Sequence, residues 1–258
     1  MRKKIRKGII LAGGLGTRLR PLTSIISKQL LPIYNKPMIY FPLSILIQIG
    51  IKEILIITDS YNINHYKKLL GNGKKFGVRL SYKIQKKADG IASAYILGEK
   101  FLNNSPSVLI LGDNIFYGSN LINKFHLAFK SKESSLFVYE VSNPSAYGVL
   151  TKKKNEYKII EKPKKFLSKK AVVGIYFLDE NAPTIAKKLR FSKRKELEIT
   201  DLNNIYLKKK MIKVYNLDRG TAWLDTGSFE GLLNAANFVR TLEVRQGIDI
   251  ALMKFNNN

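Results

Sequence analysis

Apolar runs of strand length recur along the first half of this chain with helical patterns between them, and that alternation constrains the fold more than any other feature. The runs lie at Lys7–Leu11, Glu53–Thr58, Leu80–Ile84, Val108–Leu111 and Leu136–Glu140. Helical spacing fills Met38–Ile49, Asn62–Leu70, Ile91–Phe101 and Leu121–Phe129. Strands of this length alternating with helices require a mainly parallel sheet covered on both faces. After Pro144 the texture is mixed, with strands at Tyr147–Thr151, Tyr157–Ile160, Val172–Leu178 and Ile212–Leu217 and helices near Ala182–Leu189, Ile199–Lys209 and Phe229–Arg245. No internal repeat or low-complexity linker divides the chain. Residues 1–258 therefore read as one α/β domain with a mixed, mainly parallel central sheet, its halves at about 6–143 and 144–247. The polar end, Lys254–Asn258, reads as a frayed terminus.

Composition narrows the chemistry. With no cysteine and only two histidines, His65 and His126, the chain lacks disulfides, thiolate zinc sites and most histidine-based metal sites. A catalytic metal must then sit on carboxylates, which points to magnesium. No apolar run reaches the roughly 18 residues of a membrane span, and the basic opening leads straight into a strand without the features of a signal peptide. This predicts a cytoplasmic protein with no membrane partner. The net charge of +26 would by itself suggest nucleic acid. The lysines are scattered among Asn and Ile rather than gathered on one arm, however, and compositional drift explains that scatter more simply.

In an open α/β sheet, ligands collect beyond the carboxyl ends of the strands, and four such exits carry notable residues. In "LAGGLGTRLRP", Gly13, Gly14 and Gly16 let backbone N–H groups face a phosphate chain, and Arg18 offers a forked cation. The stretch lacks the Gly-Lys-Ser/Thr ending of a P-loop, and Leu19 replaces the third glycine of the dinucleotide fingerprint. Lys28 in "SKQLLPI" follows closely enough to reach the same anions. Asp113 in "LILGDNIF" and Asp225 in "AWLDTGS" stand at separate strand exits and could bridge a metal to phosphate oxygens if the fold joins them. In "IIEKP", Glu161 could accept sugar hydroxyls beside Lys162, a phosphate-binding ammonium, provided the strand ends there. Taken singly, each has a plainer reading: a glycine turn, a solvated lysine, turn-forming aspartates, a surface ion pair.

Together, "KGIILAGGLGTRLRPLT", "SKQLLPIYNKPMIYFPLSILIQIGIKEILIIT", "LGDNIFYG", "YGV", "EKP", "ELEITDLN" and "AWLDTGS", in this order, resemble the glucose-1-phosphate thymidylyltransferase family of sugar nucleotidyltransferases from about Arg6 to Gly247. The resemblance implies a Rossmann-like nucleotidyltransferase fold, the first half binding nucleotide and the second sugar phosphate. It implies magnesium-assisted in-line attack of α-D-glucose 1-phosphate on the α-phosphorus of dTTP, giving dTDP-glucose and pyrophosphate as the first step of dTDP-deoxysugar synthesis. By position in the motifs, Leu11, Gly13, Gly14, Thr17, Arg18 and Lys28 would line the nucleotide, with Gln85 and Gly90 reading thymine. Asp113 and Asp225 match the metal ligands. Asn114, Gly148, Glu161 and Val172 match the sugar pocket, and Lys162 and Arg194 the contacts to the sugar phosphate. The catalytic set is then Arg18, Lys28, Lys162, Asp113 and Asp225.

The chain departs from the family at Ala88, where proline is usual in the base-reading loop, and at Leu150 and Thr151, near which an acidic residue is usual. It also ends at Asn258, where the family continues into a helical tail that helps build a second, inhibitory nucleotide site at a subunit contact. That predicts a homo-oligomer, a dimer or weakened tetramer, with little feedback inhibition. Other readings are a pyrophosphorylase using UTP or a different sugar 1-phosphate, a degenerate regulator, and a basic nucleic-acid-binding module. The last leaves Asp113, Glu161 and Asp225 unexplained, and no metal or phosphate residue is missing as a regulator would require.

Overall fold

A computed structural model describes residues 5–131, 133–154 and 156–251; the expected frayed end at Lys254–Asn258 lies outside them. In chain order the elements are β1 (Lys7–Leu11), β2 (Pro32–Ile33), β3 (Lys36–Pro37), α1 (Tyr40–Gln48), β4 (Glu53–Thr58), α2 (Ile63–Leu70), β5 (Arg79–Ile84), α3 (Ser93–Leu102) and β6 (Ser107–Leu111). There follow β7 (Asn114–Tyr117), α4 (Leu121–Lys130), β8 (Ser134–Glu140), β9 (Gly148–Lys153), β10 (Glu156–Glu161), β11 (Lys170–Leu178), α5 (Ala182–Ala186), α6 (Ile199–Lys208), β12 (Ile212–Asn216), β13 (Ala222–Asp225) and α7 (Phe229–Gln246). They form two compact units woven from interleaved segments of chain.

Among the described residues the parallel unit comprises Lys7–Ala88, Ile110–His126 and Thr221–Ala251. Its strands β1, β4 and β5 lie side by side in that order. β1 pairs with β4 in parallel with Gly8 opposite Ile54, and β4 with β5 with Glu53 opposite Arg79. Ile9, Ile10, Ile54, Ile56 and Ile57 are fully buried, as strands covered on both faces demand. β13 pairs antiparallel with β7 in a separate two-stranded sheet, placing Asp225 opposite Asn114. One core cluster joins Ile33, Met38, Phe41 and Ile115 to Ala235 and Val239 of α7. That helix begins where Ser228 accepts the Gly231 N–H at 3.1 Å and ends at Gly247, whose φ of 63° suits glycine.

The mixed unit comprises Arg6, Asp89–Leu109 and Leu127–Gly220. β10 and β9 form an antiparallel hairpin; β11 pairs antiparallel with both β9 and β8, and β12 lies parallel to β8. Arg6 is buried, and its guanidinium donates to five carbonyls, those of Ser107, Phe129, Ser131, Glu133 and Leu178, at 2.9–3.3 Å. Burial lowers its pKa, against the opposing fields of Asp179, Tyr95 and Glu180. No helix among the described residues is long and apolar enough to cross a membrane.

Candidate active site

The parallel unit gathers one cluster of charged side chains at its strand exits. Past β1, Ala12 donates its N–H to the Ile57 carbonyl at 2.7 Å, and the glycine loop then leaves the sheet. A Cβ on Gly13 would overlap Oε1 of the buried Gln85, whereas one on Gly14 would meet nothing. Gly16, at φ 60°, starts a short 3₁₀ turn over Thr17–Leu19. Buried Leu19 anchors that turn, so Thr17 and Arg18 stay exposed just beyond Leu11.

Lys28, only 9% exposed, donates through Nζ to Oδ2 of Asp113. Its neighbours hold it there: the Ser27 hydroxyl lies 2.7 Å from Gln29 Oε1 and 2.8 Å from the Tyr66 hydroxyl. Asn114 Nδ2 donates to the other oxygen of Asp113 at 3.1 Å, and Asn114 Oδ1 accepts from Trp223 Nε1 at 2.7 Å. The Gly227 N–H donates to Asp225 Oδ1 at 3.0 Å, and a Cβ on Gly227 would come within 2.7 Å of Arg18 Nη2. Glycine there lets the guanidinium approach the carboxylate.

Burial, and then the field of Asp113, raise the pKa of Asp225, while Lys28, the Gly227 N–H and Arg18 pull the other way. Two carboxylates that repel each other between two cations have the chemistry of a divalent-cation site. No group of three or more His, Cys, Asp or Glu that could hold a metal occurs among the described residues. Two carboxylates fit magnesium, which keeps positions open for water and phosphate oxygens, better than a metal needing an all-protein cage.

A second cluster lies in the mixed unit. β10 ends at Glu161, and Lys162 turns into the left-handed region at φ 42°, its N–H donating to the Tyr147 carbonyl at 3.0 Å. Glu161 is thus still paired, opposite Gly148, and only Lys162 leaves the alternation of the strand. Glu161 Oε2 accepts from the Thr200 hydroxyl at 2.6 Å, and Oε1 from Arg194 at 3.3 Å. Arg194 also donates to Glu196 at 2.6 Å. Gly148 faces this group, since a Cβ there would sit 3.2 Å from Thr200 Oγ1 and 3.3 Å from Glu161 Oε2.

Gly90, at φ 102°, backs onto Leu197, whose backbone would overlap any added Cβ. The Asp89 carbonyl accepts the Leu197 N–H at 2.7 Å beside it. Burial raises the pKa of Glu198, and burial followed by the field of Glu161 raises that of Asp201. Val172 is buried on β11 opposite Val138. Leu11, Gly13, Gly14, Thr17, Arg18, Lys28, Gln85, Asp113, Asn114 and Asp225 therefore fall in the parallel unit, and Gly90, Gly148, Glu161, Lys162, Val172 and Arg194 in the mixed one.

Sequence reasoning assigned no role to Thr200, Glu198, Gly227 or Trp223. Their only signal was membership of the quoted motifs "ELEITDLN" and "AWLDTGS".

A nucleotidyl transferase family model matches residues 7–241. The chain belongs to the nucleotidyl transferase family. Among its relatives in that family, a glucose-1-phosphate thymidylyltransferase of Mycolicibacterium smegmatis is 48% identical over 246 residues, 95% of this chain and 85% of the relative. One of Neisseria meningitidis serogroup A is 47% identical over 251 residues, 96% and 87% of the two. A crystal structure from Bacillus anthracis bearing the same enzyme name, in complex with sucrose, superposes with a TM-score of 0.83 at 38% identity, over 91% of this chain and 95% of that one. A UDP-glucose pyrophosphorylase complexed with UDP-glucose superposes at 0.81 and 27% identity, over 92% and 99%. The mixed, mainly parallel α/β architecture is thus the nucleotidyl transferase fold, and the chain is an enzyme of the glucose-1-phosphate thymidylyltransferase type within the family.

Proposed function

We propose that this nucleotidyl transferase transfers the thymidylyl group of dTTP to α-D-glucose 1-phosphate. An oxygen of the sugar phosphate forms a bond to the α-phosphorus of dTTP as the bond from that phosphorus to the bridging oxygen breaks. The electron pair leaves with pyrophosphate. Because the attacking phosphate is already an anion at neutral pH, the step needs no general base, in keeping with a site without histidine. What it needs is positioning and charge neutralisation.

Arg18 is the residue for the charge that grows on the departing pyrophosphate, and Lys28 for the nucleotide phosphates. Leu11, Gly13, Gly14 and Thr17 line the nucleotide, and Gln85 and Gly90 read its base. Asp113 and Asp225 would hold Mg²⁺, which when bound supplies positive charge to phosphate oxygens. Glu161, held by Thr200 on one oxygen and by Arg194 on the other, has lone pairs left to accept a sugar hydroxyl, and Gly148, Val172 and Asn114 are further sugar-binding residues. Lys162 and Arg194 meet the sugar phosphate.

The observation that carries this reading is the meeting of Arg18, Lys28, Asp113 and Asp225 at adjoining loop and strand ends, behind an open glycine loop. Exposed apolar residues on α7, Phe229, Leu233 and Val244, support a homo-oligomer. The substrates are charged metabolites that do not cross membranes, which supports a cytoplasmic place. The structural likeness to a UDP-glucose pyrophosphorylase favours UTP as the second reading.

Pyrophosphate release from glucose 1-phosphate with each nucleoside triphosphate and Mg²⁺ tests both readings. Release with dTTP well above UTP is expected. A preference for UTP would move the chain to the second reading, and no release with any triphosphate would refute both.

A further inference from the structure

Asp113 and Asp225 stand 112 positions apart in sequence, each at the start or end of a four-residue strand or just outside it, so something must fix the distance between their carboxylates. The β7–β13 ladder pairs Asn114 with Asp225 as its last step. One residue further on, the chain holds Thr226, fully buried. Its N–H and its hydroxyl both donate to the main-chain carbonyl of Asp113, at 3.3 and 2.8 Å. The hydroxyl also lies 3.1 Å from Met38 Sδ, but it has one proton, and a carbonyl is the better acceptor. The backbone N–H bond is long, so the hydroxyl makes the stronger tie.

We infer that Thr226 is a positioning residue: through its hydroxyl it fixes the spacing of the Asp113 and Asp225 carboxylates and so sets the affinity of the site for a divalent cation. This rests on the reading of those two aspartates as the metal pair. Thr226 touches no substrate in this account. It acts through the Asp113 backbone, while the Gly227 N–H steadies Asp225 from the other side. Outer groups that orient metal-holding carboxylates commonly carry a large share of metal affinity.

The test uses Thr226→Val and Thr226→Ala, which both lose the donor, and Thr226→Ser, which keeps it and drops only the methyl. Mn²⁺ is titrated into the full-length protein, first alone and then with dTTP but no sugar phosphate, and free Mn²⁺ is followed by its spin resonance. Thermal unfolding checks each fold, and the Mg²⁺ concentration for half-maximal turnover is measured alongside. Val and Ala should weaken Mn²⁺ binding and raise half-saturating Mg²⁺ by about tenfold, the effect of one lost hydrogen bond, with kcat recovered at excess Mg²⁺. Ser should stay within about twofold of the wild type.

Folded Val and Ala variants with unchanged affinity, or a Ser variant as weak as they are, would overturn the inference. So would unfolding of both Val and Ala, which would make Thr226 a residue of stability alone. A wild-type protein that binds Mn²⁺ neither alone nor with dTTP would instead refute the reading of the two aspartates as the metal pair.

Discussion

Asp225 is the residue whose surroundings say most about the cation. Proton and metal compete for the same oxygens, and burial together with Asp113 raises the pKa of this carboxyl. As pH falls, it takes up its proton while an ordinary aspartate, with a pKa of about 3.9, is still ionised. As pH is lowered, the Mg²⁺ concentration for half-maximal turnover should therefore begin to climb before the ordinary aspartate range is reached. A concentration that stays flat until that range is reached would contradict the assignment. Arg18 and Lys162 should separate kinetically. Arg18→Ala should lower kcat by on the order of 100-fold with little change in KM, because its charge matters most as pyrophosphate leaves. Lys162→Ala should raise the KM for glucose 1-phosphate as well as lower kcat. An Arg18→Ala effect confined to KM would mean uniform binding instead. Arg18, Lys28, Asp113 and Asp225 were legible in the sequence because strand exits and glycines mark them. Thr200 and Thr226 were not, because a hydroxyl becomes informative only when its acceptor, over thirty residues away in the first case and over a hundred in the second, is known.

At the scale of elements, the isoleucine-rich runs that form β1 and β4 were readable to the residue, since each carries consecutive apolar residues on both faces. The β7–β13 pair was not. Two strands of four residues, far apart in sequence and paired outside the main sheet, leave no periodicity to read, yet they bring Asn114 opposite Asp225. The docking of α7 rests on a similar long-range contact. Lys36 donates to Glu243 at 2.5 Å, Asn35 at 2.7 Å and the Ile250 N–H at 2.8 Å. Burial alone would raise the Glu243 carboxyl, but these donors outweigh it and hold the pKa below the usual glutamate range. A depressed carboxyl contributes stability that is complete above its unfolded pKa of about 4.3 and is lost as pH falls through the lower, folded value. Glu243→Gln should accordingly cost about 2 kcal/mol near neutral pH, and the difference from wild type should close in acid. Urea unfolding at a series of pH values measures this, and a cost unchanged below about pH 3 would refute it.

At the scale of the whole molecule, one arginine near the start of the chain ties together segments of the mixed unit that lie far apart in sequence. Removing the Arg6 fork would leave five carbonyls short of a donor. Lysine cannot replace it, because a point charge does not reproduce the planar fork. Arg6→Lys should cost about 3 kcal/mol and lower the thermal midpoint by roughly 6–12 °C, which calorimetry would detect. A variant that melts with the wild type would show the fork to be dispensable. The central claim, attack by the sugar phosphate on the α-phosphorus, is tested most directly with isotope. Glucose 1-phosphate carrying ¹⁸O in all its phosphate oxygens is incubated with dTTP and Mg²⁺, and both products are weighed by mass spectrometry. The account predicts that every labelled oxygen is retained in dTDP-glucose, one of them bridging its two phosphorus atoms, and that pyrophosphate is unlabelled. Label in pyrophosphate, or loss of label from the sugar nucleotide, would contradict it.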